Sequence, residues 1–165
     1  MSQMFFNEIE AAKIAQNMEA NGLEFYQRSA ARTQDAGARR IFLDLAEDEK
    51  DHLALFEELE ETLQARRRDG PGYVDDAEIG AYIGRLLQTQ VFTKAGDAGR
   101  LADQAGDAYE AFATAMRAER DAIVFYQEML DFVDSKEAKD AFEKILVEER
   151  KHLRLLGDRA EALGH

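Results

Sequence analysis

Glu19, Glu49 and His52 recur at an offset of one hundred residues as Glu119, Glu149 and His152. Each half of the chain thus carries a lone Glu and, thirty residues later, a Glu-x-x-His. An α-helix stacks residues i and i+3 on one face, so Glu49 with His52, and Glu149 with His152, each aim an oxygen and a nitrogen at one point. The fold must therefore bring together four helical segments, two offering a Glu and two offering a Glu and a His. Only three histidines occur, the third being His165.

The six residues sit on stripes that otherwise face a core. Steps of three and four give Ile9, Ala12, Gln16, Glu19, Leu23, Tyr26, Ala30 and Thr33 in the first helical run, then Phe42, Leu45, Glu49, His52, Phe56, Leu59 and Leu63 in the second. The second half repeats the rule with Ala108, Phe112, Ala115, Glu119, Ala122, Tyr126, Met129 and Val133, followed by Phe142, Ile145, Glu149, His152, Leu156 and Leu163. Apolar residues at this period mark a buried helix face. Ungapped overlay also pairs Phe25-Tyr26-Gln27 with Phe125-Tyr126-Gln127, Phe42 with Phe142 and Leu53 with Leu153. A duplicated helical hairpin is the simplest account, with equivalent side chains facing each other across a pseudo-two-fold axis. Glu24 and Glu128 lack a counterpart at this offset and read as solvated surface.

Local chemistry sets the boundaries. Asp35 and Gly37 break the first hairpin, and Asp134-Ser-Lys-Glu137 offers a cap with a Glu three residues on. Asp69-Gly-Pro-Gly72 ends the second run, and Gly96-Asp-Ala-Gly99 marks a looser stretch. Between them Ile79, Ile83, Leu86 and Gln90 predict one short amphipathic helix weakened by Gly80 and Gly84. The expected architecture is all-α: an antiparallel four-helix bundle of two hairpins, with a long crossover carrying a short extra helix. The whole chain, 1–165, reads as one domain, with hairpin 1 at about 4–68, the crossover at 69–104 and hairpin 2 at about 105–163.

A single proline, Pro71, agrees with a helical chain, and the absence of cysteine excludes disulfides, zinc ribbons and iron–sulfur centres within it. A net charge of −13 disfavours nucleic acid and anionic membranes as partners. With no basic leader at the start and no long apolar run, a soluble, cytoplasmic protein is expected.

Four carboxylates converging in an apolar core would each cost several kcal/mol to desolvate, and their repulsion would drive some to take up protons. Two divalent cations reverse the balance, because they cancel the four negative charges while two neutral imidazoles add none. Oxygen-rich ligation with one imidazole per ion suits iron or manganese, with zinc as another occupant. The predicted metal ligands are Glu19, Glu49, His52, Glu119, Glu149 and His152. Tyr26 and Tyr126, two turns beyond Glu19 and Glu119, either hydrogen-bond a ligating carboxylate or pack as core aromatics.

The segments Glu19-Ala-Asn-Gly-Leu-Glu-Phe-Tyr26, Leu45-Ala-Glu-Asp-Glu-Lys-Asp-His52, Glu119-Arg-Asp-Ala-Ile-Val-Phe-Tyr126 and Val147-Glu-Glu-Arg-Lys-His152 resemble the rubrerythrin branch of the ferritin-like superfamily. The resemblance implies a di-iron four-helix bundle with the same six ligands. Two departures stand out. Rubrerythrins proper carry a cysteine-rich rubredoxin domain that this chain lacks, and they have an additional Glu where this chain has Ala122. The Glu-x-x-His hairpin is also similar to that of ferritin-like proteins packaged in encapsulin shells, which build the site by dimerisation.

The expected function is a redox enzyme with two iron ions, an oxidoreductase of peroxidase or ferroxidase type that reduces hydrogen peroxide or O2 with an external electron donor. The alternatives are a non-catalytic iron-binding or storage protein and a metal-stabilised helical interaction module. A homodimer, or a domain swap through the crossover, stays open.

Overall fold

The computed structural model describes residues 6–69 and 76–164. The start of the predicted first hairpin at residue 4, the crossover segment 70–75 with Pro71, and His165 lie outside them. Among the described residues six helices follow in order: α1 Glu8–Arg32, α2 Ala36–Asp69, α3 Ala77–Gln88, α4 Asp97–Gln104, α5 Ala108–Phe132 and α6 Lys136–Ala162. The fold is an all-α bundle. Helix α1 packs along α2 and α5 along α6; the two pairs meet through α1 with α5 and α2 with α6.

The duplication is written in the backbone as well as in the side chains. Helices α1 and α5 begin at 8 and 108 and end at 32 and 132, while α2 and α6 begin at 36 and 136. Equivalent residues start them. Asn7 accepts from the Glu10 N–H at 2.9 Å and Asp107 from the Glu110 N–H at 2.8 Å. Asp35 accepts from the Ala38 N–H at 2.7 Å, and Ser135 from the Ala138 N–H at 3.2 Å. Such caps satisfy amides that have no partner inside the helix, each contributing about 1 kcal/mol. The α6 cap is therefore Ser135, one residue later than the start of the predicted signal, and Gly37 lies within α2 rather than in the turn.

The crossover differs from expectation in carrying two helices. Gly80 and Gly84 are both inside α3, where Ile83 is buried and Ile79 and Leu86 pack on the core. The stretch around Gly96 is not loose: Gly96 takes φ 88°, a left-handed conformation open to glycine, and begins α4, which packs on α1. An antiparallel bridge between Phe6 and Asp76 ties the segment before α1 to the start of α3.

Apolar side chains form two layers. One contains Phe56, Tyr126, Met129, Phe142 and Ile145, and the other Phe25, Tyr26, Phe42, Phe112 and Leu156. Burying each of these Phe side chains stabilises the fold by about 1.5–3 kcal/mol. Along every long helix the charged residues of the repeat fall between a residue of one layer and a residue of the other, as Glu19 falls between Ala15 and Phe25. Most of the predicted stripe is buried, but Leu163 at its end is 36% exposed.

Candidate metal centre

Helix α1 brings Glu19 to the midplane, α2 brings Glu49 and His52, α5 brings Glu119, and α6 brings Glu149 and His152. All six are buried, none exposed by more than 6%. They fall into two overlapping groups: Glu19, Glu49, His52 and Glu149, and Glu49, Glu119, Glu149 and His152. Within each group, ligand atoms lie within 4.8 Å of one another. Glu49 and Glu149 belong to both groups. Each group has a Glu and a His of its own, so two ions held here would share Glu49 and Glu149. The Glu-x-x-His spacing could not reveal this division of roles, because it follows from how the hairpins face each other.

The imidazoles point their Nδ1 atoms inward. His52 Nδ1 lies 3.3 Å from Glu19 and 3.2 Å from Glu149, and His152 Nδ1 lies 3.0 Å from Glu149. The rings are nearly parallel, with centroids 5.6 Å apart. Their outer nitrogens cross between hairpins: His52 Nε2 is 2.6 Å from Glu148, and His152 Nε2 is 3.1 Å from Asp48. With its proton on Nε2, each ring donates outward and turns the Nδ1 lone pair to the cluster, which is how a carboxylate orients a metal-binding histidine.

The tyrosines cross in the same way. The Tyr26 hydroxyl donates to Glu119, and the Tyr126 hydroxyl donates to Glu19. Both phenols are also core aromatics, Tyr26 stacking on Phe42 and Tyr126 tilting against Phe142. The two readings open in the sequence are thus combined. Glu24 stays near the surface beside Arg28, and Glu128 bonds to Tyr82, so neither joins the cluster.

Asp48, Glu148 and Gly22 escaped sequence reasoning. A signal existed for the first two, which occupy equivalent places immediately before Glu49 and Glu149. Gly22 carries no such mark. A Cβ placed on it would overlap Oε2 of Glu49 and lie 3.1 Å from its carboxyl carbon. Its counterpart in the repeat is Ala122.

Burial and mutual repulsion dominate the electrostatics of the cluster. Burial pushes Glu49 and Glu149 well above the usual carboxylate range, and the neighbouring carboxylates add to the shift. Burial acts to raise Glu119 too, but hydrogen bonds with His152 and Glu149 outweigh it and hold that group below its usual value. Burial opposes charge on both imidazoles, yet the surrounding Glu side chains prevail, raising His52 to about 11 and His152 in the same direction. Burial, then the adjacent carboxylates, raises Tyr26 and Tyr126 well above the ordinary phenol, so both keep their protons. Protons thus neutralise charge that cations would otherwise balance. The buried Oε1 of Glu49 has no hydrogen-bond partner. An unsatisfied carboxylate oxygen among five further oxygen and nitrogen ligands fits a pair of divalent ions.

A cavity of about 40 Å³ adjoins the cluster on the side away from the imidazoles, between α1 and α5 and beneath residues 90–92. All four Glu of the cluster line it, together with Gly22 and Ala122. Small side chains on facing helices leave this space open.

The fold recurs in solved structures. A DUF305 fragment from Deinococcus radiodurans superposes with TM-score 0.68 at 18% identity, over 94% of this chain and 95% of that one. A two-domain protein from Anabaena variabilis, containing DJ-1/ThiJ/PfpI-like and ferritin-like domains, gives TM-score 0.69 at 14% identity, over 96% of this chain and 40% of that one. A hypothetical protein from Pyrococcus furiosus gives 0.64 at 22%, over 96% and 90%. No curated protein matches the chain. The sequence pattern of the family described as Rubrerythrin matches residues 3–60 and 86–159, the two hairpins and the end of the crossover. Set beside the buried carboxylate and imidazole cluster, which fits a di-iron carboxylate protein, that match means the chain belongs to the rubrerythrin family.

Proposed function

We propose that Glu19, Glu49, His52, Glu119, Glu149 and His152 hold two iron ions, and that the protein reduces hydrogen peroxide or O2 with electrons from an external donor. The observation that carries this reading is the sharing of Glu49 and Glu149 between two ligand groups that each have their own Glu and His. Two ferrous ions at this centre would supply one electron each, enough to convert one hydrogen peroxide and two protons into two waters.

The chain's own residues support such a cycle. Four carboxylates favour the oxidised, more positive state of an ion pair, because they bring negative charge to the place where positive charge grows. Tyr26 and Tyr126 stay neutral and keep Glu119 and Glu19 aimed inward. The cavity on the carboxylate side leaves room for a small oxidant. In this reading the electrons come from an external donor.

The test is anaerobic loading with ferrous iron followed by stopped-flow mixing with hydrogen peroxide or with O2. Two irons per chain and rapid oxidation by either oxidant are expected. Failure to react with both would overturn the redox reading. Full metal content in both Glu49→Ala and Glu149→Ala would overturn the ligand assignment.

A further inference from the structure

The 40 Å³ cavity at the cluster is partly covered on its outer side. The link between α3 and α4, residues 89–96, runs over the α1–α5 groove as a strap, and Gln90, Val91 and Phe92 form the outer wall. Beyond lies a second hollow of about 240 Å³, with Lys13, Asn17 and Thr93 on its rim. Met18, Asn21, Gln90 and Phe92 line both spaces and separate them.

Three fastenings hold the strap, and they differ in strength. The Val91 N–H donates to the carboxylate of Asp121 on α5 at 2.8 Å. The Phe92 ring packs on Phe25 with centroids 5.6 Å apart. Farther along, the N–H groups of Thr93 and Lys94 donate to Asp97 at the start of α4, at 3.0 and 2.9 Å. Across the partition itself the contact is weak: the Gln90 amide meets the sulfur of Met18 at 3.8 Å. A thioether is a poor acceptor, and both side chains have several rotatable bonds. Before Gln90 the Thr89 N–H donates to the Leu86 carbonyl at 3.1 Å, so the strap is pinned on either side of a soft point.

From this geometry we infer that the Gln90–Met18 partition is the gate through which hydrogen peroxide reaches the cluster, and that the strap excludes bulkier hydroperoxides. This rests on the function proposed above and specifies its substrate. A cavity of 40 Å³ holds roughly two or three water-sized groups, enough for a molecule of two oxygens and too little for an aryl or branched alkyl group. The wall is mixed: Met18, Val91 and Phe92 are apolar, while the amides of Asn21 and Gln90 and the four carboxylates of the cluster offer polar groups along it. Hydrogen peroxide both donates and accepts hydrogen bonds, so it suits such a lining. Gln90→Ala removes the partition without touching a helix of the bundle, since Gln90 lies beyond the end of α3.

The passage can be tested without redox chemistry. Protein loaded with cobalt(II), with cobalt content measured, is mixed with azide and followed by its visible spectrum. Relative to wild type, Gln90→Ala is expected to speed both azide association and dissociation by about tenfold and leave the equilibrium affinity unchanged, the signature of a lowered barrier. Asp121→Ala, which frees the strap at Val91, is expected to act in the same direction. Equal association rates in wild type and both variants would overturn the gate. A second arm uses the iron-loaded protein: cumene hydroperoxide should oxidise wild type far more slowly than hydrogen peroxide, and Gln90→Ala should narrow that difference. Equal rates with the two peroxides in wild type would overturn the size limit. Iron that reacts with no oxidant, while azide kinetics still respond to Gln90→Ala, would sink the redox reading and leave the passage standing. Absence of bound cobalt would overturn both.

Discussion

His52 and Glu148 meet across the two hairpins, imidazole Nε2 to carboxylate oxygen at 2.6 Å, and the repeat places His152 against Asp48 in the same way at 3.1 Å. Each histidine is therefore oriented by the hairpin that did not supply it. The outer carboxylates remain partly exposed, whereas the rings they orient are buried.

Removing these outer partners should loosen metal without unfolding the bundle. Glu148→Gln and Asp48→Asn are each expected to weaken metal affinity by roughly 10–100-fold, as loss of such orienting groups does elsewhere. Titration of metal-free protein with cobalt(II), in competition with a chelator, measures the change; unchanged affinity in both would show that the rings need no outside support.

Gly22→Ala should disturb the cluster through Glu49. The new methyl group would occupy the place of Glu49 Oε2, and the shared carboxylate would have to move. Expected is a chain that remains helical by circular dichroism and holds less than the full complement of metal. The reciprocal change Ala122→Gly enlarges the same cavity and should leave metal content intact.

Tyr26→Phe and Tyr126→Phe should have similar effects, because each phenol serves the opposite hairpin's lone Glu. Each leaves a buried carboxylate oxygen with one donor fewer, at a cost of about 1–3 kcal/mol to the metal-free protein. Urea unfolding of the two variants should give closely matched losses. A large loss in one and none in the other would mean that the pseudo-symmetry does not extend to energetics.

The stability of the metal-free protein and the stabilisation added by metal should respond to pH with opposite sign. In the metal-free fold His52 is raised from 6.5 to about 11, so the folded state binds more protons than the unfolded chain across that window. Its contribution is complete below 6.5 and is lost as pH rises through about 11. Glu49 and Glu149, raised above 4.5, act in the same sense from that point upward. Glu119, held below 4.5, opposes them only at lower pH. Metal binding expels these protons, so apparent affinity should rise with pH. Thermal unfolding from about pH 5 to about pH 10 should show Tm falling without metal, while the stabilisation added by metal grows.

Much of this arrangement was legible in the residues. The offset of one hundred that pairs Glu49 with Glu149 also pairs Asn7 with Asp107 and Asp35 with Ser135, and all four cap helices at equivalent positions. Periodicity is a local property, so a helical stripe announces its own face. The second helix of the crossover was missed because Gly96 and Gly99 read as breakers, whereas Gly96 supplies the left-handed turn that starts α4. Helix propensity cannot distinguish a glycine that ends order from one that redirects it.

What the sequence by itself determined was an all-α hairpin repeat with four carboxylate and two imidazole side chains on buried stripes, since helix geometry alone puts residues three and four apart on one face. Only the tertiary structure decided that Glu49 and Glu149 are shared, that each tyrosine and each outer carboxylate serves the opposite hairpin, and that Gln90 to Phe92 cover the carboxylate side. Those relations join residues as far as 107 positions apart. They depend on the rotation and depth at which one hairpin packs against the other, which the summed packing of both apolar layers sets and no local spacing encodes.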